Sequence, residues 1–431
     1  MKKYFIQTFG CSMNQADSEK VHMIFLQSGF MRAKEIFDAD LVVFNTCSVR
    51  QKGEDRVFGM IREIEKRALT PSPSPSGRGK LATKRPMIGI TGCMARKTGI
   101  AKKYLGEIKR KTAKKIELLE NQDGILNCDD KLFPRAPALD FVFRIEETKF
   151  IPLLLTQIYG EKIGSENSFD DYLKQKQMRE SSFSANIIIQ TGCDNYCTFC
   201  IVPFTRGKEI SRPMEEILEE AQEAVKNGAK EINLIGQNVN SYGKQFVDKK
   251  LWNEEKSNWE PSPTTPLPSS GTEVPEGEGS KKKFKSPFRE LLEKLDMIKG
   301  LDRIRFTSSN PHDMTQDILD AHFDLKTTCN YLHFALQSGN DAMLKKMNRK
   351  HSYQDFKKIV DYLRSRDPEF SISTDIIVGY SGETQEMFDD TVKAMKECEF
   401  DFSYSARYSV RPDTIAAKIY PDDIPDDIKA E

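Results

Sequence analysis

From residue 183 onward the chain alternates short β-rich runs with helical patterns, and this alternation limits the folds open to it more than any other feature. The runs are 185–189, 231–235, 303–306, 331–336, 371–378 and 402–408. Helical periodicity separates them: Pro213 opens one helix with Ile217, Leu218, Ala221 and Val225 on a face and Gly228 at its end, and Phe356, Ile359, Val360 and Leu363 mark another. Strands joined through helices run parallel. Six such βα units predict a partial or open (β/α) barrel, whose chemistry belongs at the C-terminal ends of the strands.

Directly after the first run comes Gln190-Thr-Gly-Cys-Asp-Asn-Tyr-Cys-Thr-Phe-Cys200, where Cys193, Cys197 and Cys200 have the spacing C-x3-C-x2-C. A disulfide uses two thiols and a structural zinc asks for four Cys or His ligands. Three thiolates on one loop, with the next cysteine only at Cys329, suit a 4Fe-4S cluster that leaves one iron open. Such an iron can chelate S-adenosylmethionine, whose one-electron cleavage yields an adenosyl radical. The strand-end punctuation elsewhere agrees with chemistry at this rim: Gly236-Gln-Asn, Thr307-Ser-Ser-Asn-Pro311, Gln337-Ser-Gly339 and Gly379-Tyr-Ser-Gly-Glu383.

The first 150 residues read as a separate parallel α/β domain. Runs at 4–9, 41–44 and 87–90 are β-rich, and a helix is expected between the first two, capped by Ser18, carrying Val21, Ile24 and Phe25 on one face and ending near Gly29. A second helix carries Val57, Ile61 and Ile64. Each strand delivers a cysteine just past its end: Cys11, Cys47 and Cys93. A single strand-end cysteine is more often a small buried hydrophobe. Three at the same edge of one parallel sheet, whose strands lie about 4.8 Å apart, can instead converge as a second three-thiolate site.

The remaining segments set boundaries. The Pro/Ser run near 69–86 and the polar stretch 244–285 read as disordered insertions, the second leaving from a strand end, with Trp252 and Trp259 as stray surface aromatics. Residues 151–182 read as a linker and 183–431 as the barrel. The basic stretch 96–115 reads as a solvated helix face, and Cys128 carries no chemical signal. With 65 Lys and Arg against 65 Asp and Glu, a nucleic-acid partner must be met by a local patch. Nine cysteines with no signal segment and no apolar run of spanning length predict reduced thiols and a cytoplasmic location.

The motifs together resemble one family, the radical-SAM methylthiotransferases. The resemblance rests on Cys193-Asp-Asn-Tyr-Cys-Thr-Phe-Cys-Ile-Val-Pro-Phe-Thr-Arg-Gly207 with Ser211-Arg-Pro213, and on Gln7-Thr-Phe-Gly-Cys-Ser-Met-Asn14, Asn45-Thr-Cys-Ser-Val-Arg50 and Thr91-Gly-Cys-Met-Ala95. Three segments look most like the tRNA-acting branch: 234–243, 303–309 and 371–379. The resemblance implies two 4Fe-4S clusters. One, on Cys193, Cys197 and Cys200, binds and cleaves S-adenosylmethionine; the other, on Cys11, Cys47 and Cys93, carries the sulfur, and a second S-adenosylmethionine gives the methyl group. Sulfur and methyl would be inserted at C2 of N6-dimethylallyladenosine 37 of tRNA, a loop base that can be splayed out.

The resemblance also implies that Phe199, Gln337, Ser338, Ile377 and Gly379 contact the cofactor. It implies an electron donor such as flavodoxin or ferredoxin, and a monomer. Arg206 and Arg212 could meet phosphates or carboxylates, with surface pairing as the plain alternative. The sequence departs from the family's usual residues at Phe334-Ala-Leu-Gln337, Asn310-Pro311 and Tyr380-Ser381. It ends at Glu431 without the small TRAM-like β-barrel expected next. The competing functions are methylthiolation of threonylcarbamoyladenosine and a non-catalytic iron-sulfur protein in electron transfer or RNA binding.

Overall fold

The computed structural model describes residues 1–47, 51–69, 85–95, 132–160, 163, 172–175, 177–179, 181–247, 252 and 285–431. They divide into two compact units, Met1–Glu180 with Cys200–Lys208, and Ser181–Phe199 with Glu209–Glu431. Both insertions fall largely outside the described residues, as do the basic stretch 96–115, Cys128 and Trp259.

The first unit is a five-stranded parallel sheet: β1 (Lys3–Phe9), β2 (Met31–Arg32), β3 (Leu41–Thr46), β4 (Met87–Gly92) and β5 (Phe141–Val142), in the order β2-β1-β3-β4-β5. Strand β3 is buried at every position, because it is covered on both faces as parallel strands are. The order reverses between β1 and β3. In open α/β sheets that switch point opens a crevice at the carboxyl edge, where ligands bind. Register brings the three strand ends level there, with Phe9 opposite Thr46 and Thr46 opposite Gly92.

The first helix runs Ser12–Gln27, so it begins directly after Cys11. The expected cap at Ser18 is corrected: Ser18 lies in the helix interior, where its hydroxyl meets Thr8 at 2.7 Å and accepts from Asn45 at 2.9 Å. Val21, Ile24 and Phe25 are buried as expected. The second helix, Gln51–Leu69, buries Val57, Ile61 and Ile64 against β3 and β4 side chains.

The stretch expected to be a linker behaves differently. A helix at Ile151–Tyr159 buries Ile151, Leu154 and Leu155, and farther on Tyr172 is buried with its carbonyl accepting from Lys20. These residues belong to the first unit because the apolar run Ile-Pro-Leu-Leu-Leu needs a face to cover.

The second unit carries six parallel strands, β6 (Ser184–Ile188), β9 (Glu231–Ile235), β10 (Arg303–Phe306), β11 (Tyr331–His333), β12 (Ser371–Val378) and β13 (Phe402–Arg407). Between the first two, a small antiparallel pair, β7 (Gln190–Thr191) with β8 (Ile210–Ser211), brackets the cysteine loop in sequence. The six pair in chain order, β6-β9-β10 and β11-β12-β13, with parallel bridges Ile304 to Thr328 and Ser309 to Phe334 between the two sets. This is the expected open arc of six βα units. Its core packs Ile187, Leu234, Ile304, Leu332 and Ile372 from strands against Ile217, Leu291, Ile318, Phe356 and Leu363 from helices. β11 stops at His333, three residues sooner than expected. Trp252, read as a stray surface aromatic, is buried at 1% exposure.

Candidate active site

The first cysteine set is positioned by strand ends. Cys47 donates its backbone N–H to the Phe9 carbonyl at 2.7 Å and Cys93 donates to the Thr46 carbonyl at 2.9 Å, so both extend the ladder by one residue. Cys11 occupies the N-cap of the Ser12–Gln27 helix, where burial and then the nearby Cys93 push its thiol up against the opposing backbone amides of the first turn and the Arg206 cation. Cys11 and Cys93 are close enough to interact electrostatically.

Two glycines make this edge possible. Asn14 and Asn45, both fully buried, join side chain to side chain at 3.0 Å, and Asn45 also donates to the Asn14 carbonyl at 2.8 Å. A β-carbon on Gly10 would lie 2.2 Å from Asn14 Oδ1, and one on Gly92 would lie 2.3 Å from Asn45 Oδ1. Gly92 is also left-handed, with φ +86°. The Gly-Cys pairs at 10–11 and 92–93 therefore leave room for an amide clasp that ties β3 to the first helix. Composition alone does not reveal that clasp, because its members lie 31 residues apart.

In the second unit, Cys193 and Cys197 sit on the loop after β7. Thr198 anchors it: its N–H donates to the Met347 carbonyl at 3.0 Å, its hydroxyl donates to the Lys346 carbonyl at 3.0 Å and meets the Tyr380 hydroxyl at 2.7 Å. Tyr380 is one of the departures from the family pattern, and its hydroxyl is what reaches Thr198. Asn348 Nδ2 donates to the Tyr196 carbonyl at 2.9 Å, holding that residue at φ +50°. Arg349 places a cation on the loop, donating to Cys197 Sγ at 3.5 Å and to the Ala335 carbonyl at 2.6 Å. Burial pushes the Cys193 thiol up to about 12, and the nearby Cys197, Glu209 and Asp313 add to the effect against the Asn195 amide.

Beside Cys193 lies a cavity of about 370 Å³ lined by Asp194, Glu209, Asn238, Lys244, Trp252 and Asp313 among others. The cavity is acidic at its buried wall. Asp313 accepts from Asn238 at 2.7 Å and from Asn195 at 3.3 Å, and Glu209 accepts from Ser241 at 2.7 Å. Burial raises the Glu209 carboxyl to about 7. Asn238 belongs to the Gly236-Gln-Asn strand-end punctuation, whereas no sequence motif singles out Glu209 or Asp313.

Among the expected cofactor residues, the structure brings Phe199 and Ile377 together against Met343, Met347 and Tyr380. Gln337 joins them through the backbone, accepting from Ile377 N–H at 3.0 Å, with its own φ at +76°. Ser338 is fully buried and paired with Thr391 at 3.2 Å, so it packs a helix. Gly379 faces a second cavity, closed by Lys429. Arg206 and Arg212 are buried rather than surface-paired: Arg206 meets Asp17, and Arg212 meets Glu220 and the Ile188 carbonyl.

Among the described residues no three His, Cys, Asp or Glu side chains converge on a point that would hold a single ion. A cubane differs, since each thiolate holds its own iron at a separate corner. The donor chemistry suits such a cluster: each set supplies three soft cysteine sulfurs that would bind iron as thiolates on losing their protons, and a cation stands beside Cys197 in one and Cys93 in the other.

Residues 187–395 match the model of the Radical SAM superfamily, and residues 3–112 match that of the Uncharacterized protein family UPF0004. The chain is 34% identical over 437 residues to a protein of Protochlamydia amoebophila named tRNA-2-methylthio-N(6)-dimethylallyladenosine synthase, spanning all of this chain and 79% of that one. Proteins of the same name from Caldicellulosiruptor saccharolyticus and Mycobacteroides abscessus are also 34% identical, over 100% and 99% of this chain and 76% and 70% of their own lengths. The solved radical S-adenosylmethionine methyltransferase TsrM from Kitasatospora setae shares the fold at a TM-score of 0.52 and 11% identity, covering 96% of this chain and 74% of that one.

Proposed function

The chain belongs to the radical-SAM methylthiotransferase family of the tRNA-2-methylthio-N(6)-dimethylallyladenosine synthases, and from that premise we propose how its two units divide the work. It is a radical-SAM enzyme that methylthiolates tRNA, and its substrate is N6-dimethylallyladenosine 37, modified at C2. Cys193, Cys197 and Cys200 hold the cluster that binds S-adenosylmethionine; Cys11, Cys47 and Cys93 hold a second 4Fe-4S cluster. When bound, the open irons supply reductive cleavage of the sulfonium at one site and a place for the transferred sulfur at the other. One observation carries the reading: one chain holds two three-cysteine sets, Cys11, Cys47 and Cys93 after the level strand ends of the first parallel sheet, and Cys193, Cys197 and Cys200 in the segment that follows β7.

The chain's own residues then have defined tasks. Thr198, Asn348 and Arg349 fix the cysteine loop before any ligand arrives. Phe199 and Ile377 offer an apolar surface to an adenine ring. Asp313, which lies beside Cys193 and also meets Lys244 at 3.6 Å, is the acid that suits the ammonium of S-adenosylmethionine, while the raised Glu209 carboxyl can offer a hydrogen bond. A flavodoxin- or ferredoxin-type donor supplies the electron, and the protein works as a cytoplasmic monomer. No described helix is long and apolar enough to cross a membrane.

Nucleoside mass spectrometry tests the substrate, using tRNA from a bacterial host without its own methylthiolating enzyme and expressing this chain. The expected product is the methylthio derivative of dimethylallyladenosine, absent with Cys193→Ala. A methylthio group on threonylcarbamoyladenosine instead refutes the branch assignment.

A further inference from the structure

The Cys93 thiol has a charged neighbour with no part in the proposed reaction so far. Arg206 belongs to the first unit through the segment Cys200–Lys208. Its side chain is 2% exposed and that of Asp17 fully buried. Arg206 Nε donates to Cys93 Sγ at 3.5 Å, Nη2 to Asp17 Oδ2 at 2.5 Å and Nη1 to Asp17 Oδ1 at 3.5 Å. The hydroxyl of Tyr172, itself 4% exposed, also donates to Asp17 Oδ1. All three N–H faces of the guanidinium are thus committed, two to the carboxylate and one to sulfur.

A buried ion pair gains little net stability over apolar residues of the same volume, because desolvation offsets the attraction. Its placement on a cysteine sulfur therefore calls for another reason. A hydrogen bond from a fixed cation to a ligand sulfur withdraws charge from the thiolate and favours the more negative, reduced cluster.

Resting on the reading that Cys11, Cys47 and Cys93 hold a cluster, we infer that Arg206, oriented by Asp17 and Tyr172, is a positioning residue for that cluster, strengthening its binding and raising its reduction potential through Cys93. The pair has a sign. Removing the guanidinium leaves the Asp17 charge facing the cluster and lowers the potential; removing the carboxylate charge leaves the guanidinium unbalanced and raises it.

The test uses the full chain with Cys193, Cys197 and Cys200 all changed to Ala, reconstituted anaerobically. About four irons per chain in this background supports the cluster reading; none removes that reading before Arg206 is touched. Arg206→Gln and Asp17→Asn are then added separately, and iron retention against a chelator and the midpoint potential by electron paramagnetic resonance titration are read. Arg206→Gln is expected to weaken retention about tenfold. The reduced-to-oxidised preference is expected to shift down in Arg206→Gln and up in Asp17→Asn, a tenfold shift being about 59 mV. Arg206→Lys keeps the charge and should recover most of the potential. If Arg206→Gln fails to fold, the sign in Asp17→Asn decides alone. Shifts of the same sign in both variants, or no shift in Asp17→Asn, overturn the inference and leave the pair a structural staple.

Discussion

Replacing Asn45 by Ala should loosen the first cysteine set without touching a cysteine. Asn45 is fully buried and makes three side-chain hydrogen bonds, to the Asn14 carbonyl, the Ser18 hydroxyl and the Asn14 amide. At about 1 kcal/mol net for each bond the loss is about 3 kcal/mol, and the dry carbonyl and amide left on Asn14 push it upward. With a urea slope of about 2 kcal/mol/M, the first unit's midpoint should fall by about 1.5 M.

The two units can be read separately. Both tryptophans, Trp252 and Trp259, follow residue 208, so fluorescence reports on the second unit while far-ultraviolet circular dichroism reports on both. The expected outcome for the metal-free chain is an early circular-dichroism phase that moves to lower urea while the fluorescence transition stays in place. A midpoint change below about 0.5 M, or an equal shift of the fluorescence, would refute the clasp as the local anchor of the first unit.

Gly92→Ala should remove iron from the Cys11, Cys47 and Cys93 set while sparing the Cys193 set, because its β-carbon would lie 2.3 Å from Asn45 Oδ1 and 2.6 Å from the Thr46 carbonyl; iron counting checks this in the otherwise unmodified chain, where about four irons should remain, and in the background lacking Cys193, Cys197 and Cys200, where normal iron contradicts it. Tyr380→Phe deletes one hydroxyl partner of Thr198 and should cost about 1 kcal/mol, a fall of roughly 2–4 °C in the second unit's melting temperature by fluorescence. For Glu209, burial raises the folded carboxyl to about 7 from an ordinary 4.5. The folded chain then binds the extra proton between those values, so the metal-free chain should lose stability as pH rises through that window. Glu209→Gln should flatten the dependence in a pH series of urea midpoints; an unchanged slope refutes the assignment.

Much of this architecture was legible because β3 and β4 are buried along nearly their whole length and read as apolar runs, while β9 and β10 alternate buried and half-buried positions between helical patterns. Strand ends then carried the cysteines into view. The Ser18 cap failed for a local reason: a serine before an apolar periodic stretch looks the same whether it caps a helix or bonds sideways to Asn45 from within one. The Ile151–Tyr159 helix was hidden because the polar residues around it suggested a linker. Trp252 lay in a low-complexity stretch, yet it is buried at the acidic cavity. The contacts between Asp17 and Arg206, and between Thr198 and Tyr380, span 189 and 182 residues. Pairings of that range follow from the fold and leave no local pattern to read.

The central claim is that one chain carries two open 4Fe-4S clusters on two cysteine sets. Anaerobic reconstitution with iron and sulfide, followed by reductant and S-adenosylmethionine, tests it most directly across three proteins: the unmodified chain, the chain with Cys11, Cys47 and Cys93 changed to Ala, and the chain with Cys193, Cys197 and Cys200 changed to Ala. The account predicts about eight irons in the first and about four in each of the others. It also predicts release of 5'-deoxyadenosine from the first two proteins and none from the third. About four irons in the unmodified chain, or cofactor cleavage that survives loss of Cys193, Cys197 and Cys200, contradicts it.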